Sequence, residues 1–212
     1  MTISLRCAPV IAILLLSSVT AQNTQTTAAP PQSNTAASIG LIVDNSKSML
    51  PSRKAVVEAL KSLVETSNPS DEFFVVNFSD SPYLDQDFSA DRGLIEKALE
   101  KPGIGRGTAF YDAVGDASVH LRQGARFKKH VLIVVSDGDD NESHVPSQRL
   151  FQELQQPVSP VVYCIVPVSP SSKGVRILDK IAKETGGKVY RAYKPGELAR
   201  TVAHLAQQIR NP

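Results

Sequence analysis

Apolar residues recur along this chain in two rhythms, and the two alternate. The first is a set of short, dense runs at residues 39–43, 72–78, 82–88, 130–135, 161–168 and 188–193. Each has the length of a strand and gives way to polar or turn-forming residues. Three of them, FFVVNF, VLIVV and VVYCIV, are continuous rather than alternating. Strands covered on both faces read that way, which predicts a central, mostly parallel sheet.

The second rhythm is helical. Val56, Leu60, Leu63 and Val64 share a face after Pro51, a residue suited to a first helical turn. Phe110, Ala113, Val114, Ala117 and Leu121 form another such face, and Ser147 precedes Leu150, Phe151 and Leu154. Val175, Leu178, Ile181 and Ala182 stop at Gly186, a helix-ending signal. Leu198, Val202, Leu205 and Ile209 close the chain, and residues 91–100 are predicted helical as well. Strands alternating with helices predict an α/β fold, a doubly wound, mostly parallel central sheet with helices on both faces. In such sheets ligands bind beyond the carboxyl ends of the strands, where the strand order reverses.

This pattern occupies residues 39–212, enough for one domain with a substantial core. Two segments ahead of it differ. Arg6, the apolar stretch from Val10 to Leu16 and the small-residue exit Val19-Thr20-Ala21 have the layout of a secretory signal peptide over residues 1–21. The apolar stretch is far shorter than the roughly 20 residues that cross a bilayer, so no membrane insertion is expected after cleavage. Residues 22–38, QNTQTTAAPPQSNTAAS, lack charge, aromatics and periodicity and read as a flexible linker. The protein is therefore expected to be exported, to a periplasm, a cell surface or the medium.

Without the leader, Cys164 is the remaining cysteine, so the domain is expected to fold without an internal disulfide. Within VVYCIV it reads as a small buried apolar residue. A formal net charge of +2 gives no basis for a nucleic-acid or anionic-membrane partner.

Three polar features interrupt the pattern at or near strand ends. Asp44-Asn45-Ser46-Lys47-Ser48 follows the first strand. GIGRGTAF, from Gly103 to Phe110, delivers Thr108 to a helix start. SDGDDNE, from Ser136 to Glu142, begins where VLIVV ends. Taken singly, each has an ordinary explanation. Ser46 or Ser48 can cap the helix near Pro51, Thr108 can cap the next, and Asp137-Gly138 is common turn chemistry. Taken together, a parallel sheet can bring these loops to one edge, with two carboxylates and three hydroxyls. Such hard oxygen donors suit a small divalent cation that keeps an open position.

These residues resemble a known family. Asp44-x-Ser46-x-Ser48, then Thr108, then Asp137 match the metal-ion-dependent adhesion site of von Willebrand factor type A domains, and GLIVDNSKSM, RGTAFYDAV and VLIVVSDGDDN look like its exported bacterial members. The resemblance implies that Ser46, Ser48 and Thr108 are direct or near-direct hydroxyl ligands. It implies that Asp44 and Asp137 act largely through water, with Asp44 also orienting the serines. The cation would be Mg²⁺, Mn²⁺ or Ca²⁺, and its open position would take an acidic residue of a partner protein. Such a domain would be a monomeric binding module and not an enzyme; a metal-independent scaffold or assembly subunit is the alternative. Lys47 departs from the pattern, standing where a small residue is usual, and its side chain is expected to point to solvent.

Other chemistry fits less well. An aspartate-nucleophile phosphohydrolase needs a second acid two residues after Asp44, and that position is Ser46. GIGRGT matches neither common phosphate-binding loop. DGDDNE lacks the glycine and the terminal glutamate of an EF-hand, so Asp139, Asp140 and Glu142 read as a solvated acidic rim. The four histidines have no metal-ligand spacing, and no serine-hydrolase elbow is present.

Overall fold

A computed structural model describes residues 35–101 and 105–210. The leader expected over residues 1–21 and most of the linker expected over 22–38 lie outside the described residues, as do Gly103 and Ile104. The strands are β1 (Ala37–Asp44), β2 (Glu72–Phe78), β3 (Pro82–Ser89), β4 (Lys129–Val135), β5 (Val161–Val166) and β6 (Val189–Arg191). The helices are α1 (Arg53–Thr66), α2 (Arg92–Glu100), α3 (Phe110–Gly124), α4 (Ser147–Leu154), α5 (Ser172–Thr185) and α6 (Pro195–Arg210). A 3-10 helix, Lys47–Ser52, leads into α1.

The sheet order is β3-β2-β1-β4-β5-β6. Every pairing is parallel except β2 with the edge strand β3. The chain builds outward from β1 through β2 and β3, then crosses back to place β4 on the other side of β1. The order therefore reverses between β1 and β4, and the crevice of a doubly wound sheet opens at their carboxyl ends.

Pleating sends alternate residues of the central strands to two cores. Ile39, Leu41 and Val43 of β1 join Val131, Ile133 and Val135 of β4 beneath Leu60, Leu63 and Val64 of α1 and Leu205 of α6. Ile42, Leu132 and Val134 face the other way, against Phe110, Val114 and Leu121 of α3, Leu150 of α4 and Leu178 of α5. Both faces are covered, which is why these strands are apolar without interruption. Cys164 is fully buried in the second core, and burial pushes its thiol up to about 12, so it is an inert packing residue.

β2 spans the residues that the apolar pattern predicts, and the other elements differ at their ends. β1 begins two residues early because Ala37 N donates to Asp71 Oδ1 (2.8 Å) and Ser38 Oγ to Glu72 Oε1 (2.6 Å). Small, uncharged Ala37 and Ser38 belong to the sheet through these buried bonds. β5 stops at Val166 because Pro167 has no amide for the ladder. β3 is half-exposed, with two irregularities in its register against β2, features that discourage further pairing at an edge. α5 ends at Gly186 in the left-handed conformation, φ +72°. Among the described residues no helix is long and apolar enough to cross a membrane.

Candidate metal centre

Asp44 is the last residue of β1, and only 1% of it is exposed. Its Oδ1 accepts the backbone N–H of Ser46 (2.8 Å), which bends the chain out of the strand. Its Oδ2 accepts Ser136 Oγ (2.6 Å) from the end of β4. Register explains the second bond. Val43 pairs with Val135, so the next residues along the two parallel strands, Asp44 and Ser136, emerge side by side. Ser46 Oγ then lies 3.1 Å from Ser48 Oγ. Buried Met49 anchors the turn from below, its N–H bonded to Ser46 O (3.0 Å). Lys47 is exposed.

The capping explanation of these hydroxyls fails. Ser46 stands at the N-cap of the 3-10 helix but makes no side-chain cap bond. α3 has Ala109 at its N-cap, with no side-chain cap from its own segment. The loop after β4 does that work instead. Tyr111 N–H donates to Asp140 Oδ1 (3.2 Å) and to Ser143 Oγ (2.9 Å), and Asp112 N–H donates to Ser143 Oγ (3.1 Å). Thr108 is 5% exposed and is clamped by the same loop. Its N–H donates to Asn141 Oδ1 (2.8 Å), and its carbonyl accepts the N–H groups of Asn141 (3.0 Å) and Glu142 (3.2 Å).

The DGDDNE loop is thus a clasp as much as a rim, which corrects the expectation from sequence. Asp139 and Asp140 are half-buried. Asp139 accepts the hydroxyl of Ser171, and Asp140 Oδ1 accepts Ser143 Oγ (2.5 Å). Glu142 remains exposed. Asp137 is 4% exposed, and its Oδ1 accepts Asp139 N–H (3.1 Å). The turn depends on Gly138, φ +78°, and on Gly174 in the first turn of α5. A Cβ on Gly174 would fall 2.2 Å from the Asp137 carbonyl oxygen.

The structure therefore gathers Asp44, Ser46 and Ser48 into one hydrogen-bonded loop at the switch point. Asp137 follows two residues beyond the end of the neighbouring β4, and Thr108 is held by the loop that carries Asp137. Sequence reasoning gave Ser136 no role, although it is fully buried and holds both Asp44 and the Gly138 N–H (3.0 Å). A hydroxyl one step past an apolar strand was the available signal, but the strand register that gives it meaning was not.

Burial of Asp44 raises its pKa to about 6; the hydrogen bonds from Ser136 and Ser46 oppose this, and the nearby charge of Asp137 adds to it. A cation here would offset two neighbouring carboxylates. The donors are hard oxygens, mostly hydroxyl, which suits Mg²⁺, Mn²⁺ or Ca²⁺ better than a thiophilic metal. Among the described residues no group of three or more His, Cys, Asp or Glu side chains is placed to hold a metal, and this hydroxyl-rich edge is not such a cluster.

The von Willebrand factor type A domain family model matches residues 39–139, a span that includes β1 from Ile39 onward, Thr108 and Asp137. Over that span the chain is similar to von Willebrand factor type A domains. Domains of this type are generally adhesion or interaction modules. Solved structures share the fold. A von Willebrand factor type A protein from Catenulispora acidiphila aligns with a TM-score of 0.72 at 20% identity, covering 83% of this chain and 43% of that one. Proximal thread matrix protein 1 from the mussel byssus, described with a zinc-occupied adhesion-site motif, aligns at 0.66 and 20%, covering 84% and 46%. The PilB minor pilin from Streptococcus sanguinis aligns at 0.64 and 16%, covering 86% and 63%. The chain thus spans less than half the length of the first two. No curated protein matches it.

Proposed function

We propose that this domain binds a partner protein through a divalent cation held by Asp44, Ser46, Ser48, Thr108 and Asp137. The hydroxyls of Ser46, Ser48 and Thr108 cap no helix, and the Thr108 hydroxyl has no hydrogen-bond partner among the described residues. That is the observation that carries the reading. Bound there, Mg²⁺, Mn²⁺ or Ca²⁺ would supply a positive charge that hydroxyls do not neutralise, an anchor for a partner carboxylate. The chain's own part is to hold the donors: Ser136 and Ser46 N–H orient Asp44, and Asn141 positions Thr108. The domain acts by binding rather than catalysis, since both Asp44 oxygens are engaged by donors of the chain and neither is presented as a nucleophile. The signal-peptide layout of residues 1–21 supports export, and the fold shared with a minor pilin is consistent with it.

A second reading is a metal-independent scaffold in an envelope assembly. It is favoured by the same engagement of Asp44, because donors of the chain itself already satisfy both of its carboxylate oxygens. Titration with Mn²⁺, followed by loss of the free-ion electron paramagnetic resonance signal, separates the two. One site per chain that disappears in Asp44→Ala supports the metal reading; no binding by a folded wild type leaves the scaffold.

A further inference from the structure

A second concavity opens at the same carboxyl edge of the sheet. It has a volume of about 340 Å³, and its walls include Pro51, Ala55, Val168, Tyr193, Lys194 and Leu198. Pro167 directly follows β5 and Ala192 directly follows β6, so the groove lies at strand ends, as Asp44 does. It is mainly apolar, and Tyr193 is 46% exposed beside it. Lys194 is exposed on its rim; its backbone N–H donates to Glu197 Oε2 (3.2 Å), while its ammonium makes no ion pair among the described residues.

The 3-10 helix links a wall of this groove to the candidate metal centre. Side chains three residues apart on such a helix eclipse one another, and the rise is about 2 Å per residue. Pro51, on the groove wall, therefore stands on the same face as Ser48, about 6 Å further along. In an extended peptide, side chains two residues apart share a face and are separated by about 6.6 Å. The two spacings agree.

We propose that the groove is a second subsite for the partner, which presents an extended segment with an apolar residue two positions from the carboxylate bound at the Ser46–Ser48 edge. The inference rests on the metal-dependent reading above. Lys194 adds a preference for a further acidic residue beyond the apolar one, and the net result is an acidic, apolar-bearing strand rather than an isolated carboxylate.

The probes are alanine hexapeptides carrying one aspartate and one leucine, separated by one, two or three positions. They are titrated into the ¹⁵N-labelled domain in Mg²⁺ or in EDTA. The expected result is binding in Mg²⁺ that is about tenfold tighter at a separation of two, with amide shifts at Ala55 and Val168. Val168→Glu, and independently Ser169→Trp from the exposed rim, should flatten the spacing preference while the Mg²⁺ requirement stays. Equal affinity at all separations, still Mg²⁺-dependent, overturns the groove and leaves the metal reading standing. Binding that ignores EDTA and Asp44→Ala, or no binding by any peptide, overturns both.

Discussion

Ser136 donates its hydroxyl to Asp44 at 2.6 Å, joining the ends of the two strands between which the sheet order reverses. Both residues are buried, and each carries a second bond into its own loop, Asp44 from Ser46 N–H and Ser136 from Gly138 N–H. The pair is the hinge pin of the candidate metal centre. Ser136→Ala leaves a buried carboxylate oxygen and a buried amide short of a partner, and should destabilise the domain by about 1–3 kcal/mol in urea denaturation. Unchanged stability would mean that the bond carries no load.

The same carboxylate predicts a pH dependence. Its folded pKa of about 6 lies above the ordinary 3.8, so the folded state holds the proton more tightly. That contribution is complete below the ordinary value and is lost as pH rises through the folded one. In EDTA, the melting temperature of wild type relative to Asp44→Asn should therefore fall between pH 4 and 6 and level off above it. A wild-type curve parallel to that of the mutant would contradict the assignment.

A cation that binds the ionised site opposes this loss. Mg²⁺ or Mn²⁺ at about 100 times its dissociation constant should stabilise the fold by about 2.7 kcal/mol, with the larger effect above pH 6. Asp44→Ala should abolish the increment, and Thr108→Ala should reduce it strongly. An equal response in wild type and both variants would place the ions elsewhere.

Gly174 is not one of the five donors, yet a Cβ there would fall 2.2 Å from the Asp137 carbonyl oxygen. Gly174→Ala should shift the Asp137 turn and weaken Mn²⁺ binding, measured by calorimetry, in a domain that still folds by circular dichroism. Wild-type affinity in that variant would show that the turn tolerates the displacement.

Val158 is the only described residue other than glycine with positive φ, +65°, and it is 63% exposed. A β-branched residue in that region is strained, whereas asparagine accepts it more readily. Val158→Asn should raise stability by about 1 kcal/mol, read as a higher melting temperature. A lower one would mean that the loop needs the valine for packing.

Much of this protein was legible in its sequence, for a local reason. Burial on both faces makes a strand continuously apolar, so FFVVNF and VLIVV could be read as central strands. Burial on one face gives a helix its 3.6-residue stripe, so Val114, Ala117 and Leu121 marked α3. Asp44-x-Ser46-x-Ser48 was legible too, since its serines lie within one turn of the aspartate. The tertiary structure decided what depends on residues far apart in the chain. Strand register places Ser136 against Asp44, 92 positions away. Asp140 and Ser143 supply the helix cap that was the ordinary alternative reading of Thr108, and Asn141 clamps Thr108 itself, because their loop is delivered beside α3. The antiparallel edge of β3 and the groove between α1 and the ends of β5 and β6 arise in the same way. Periodicity records how deeply each residue is buried, but a hydrogen bond between distant loops exists only after packing has brought them within 3 Å.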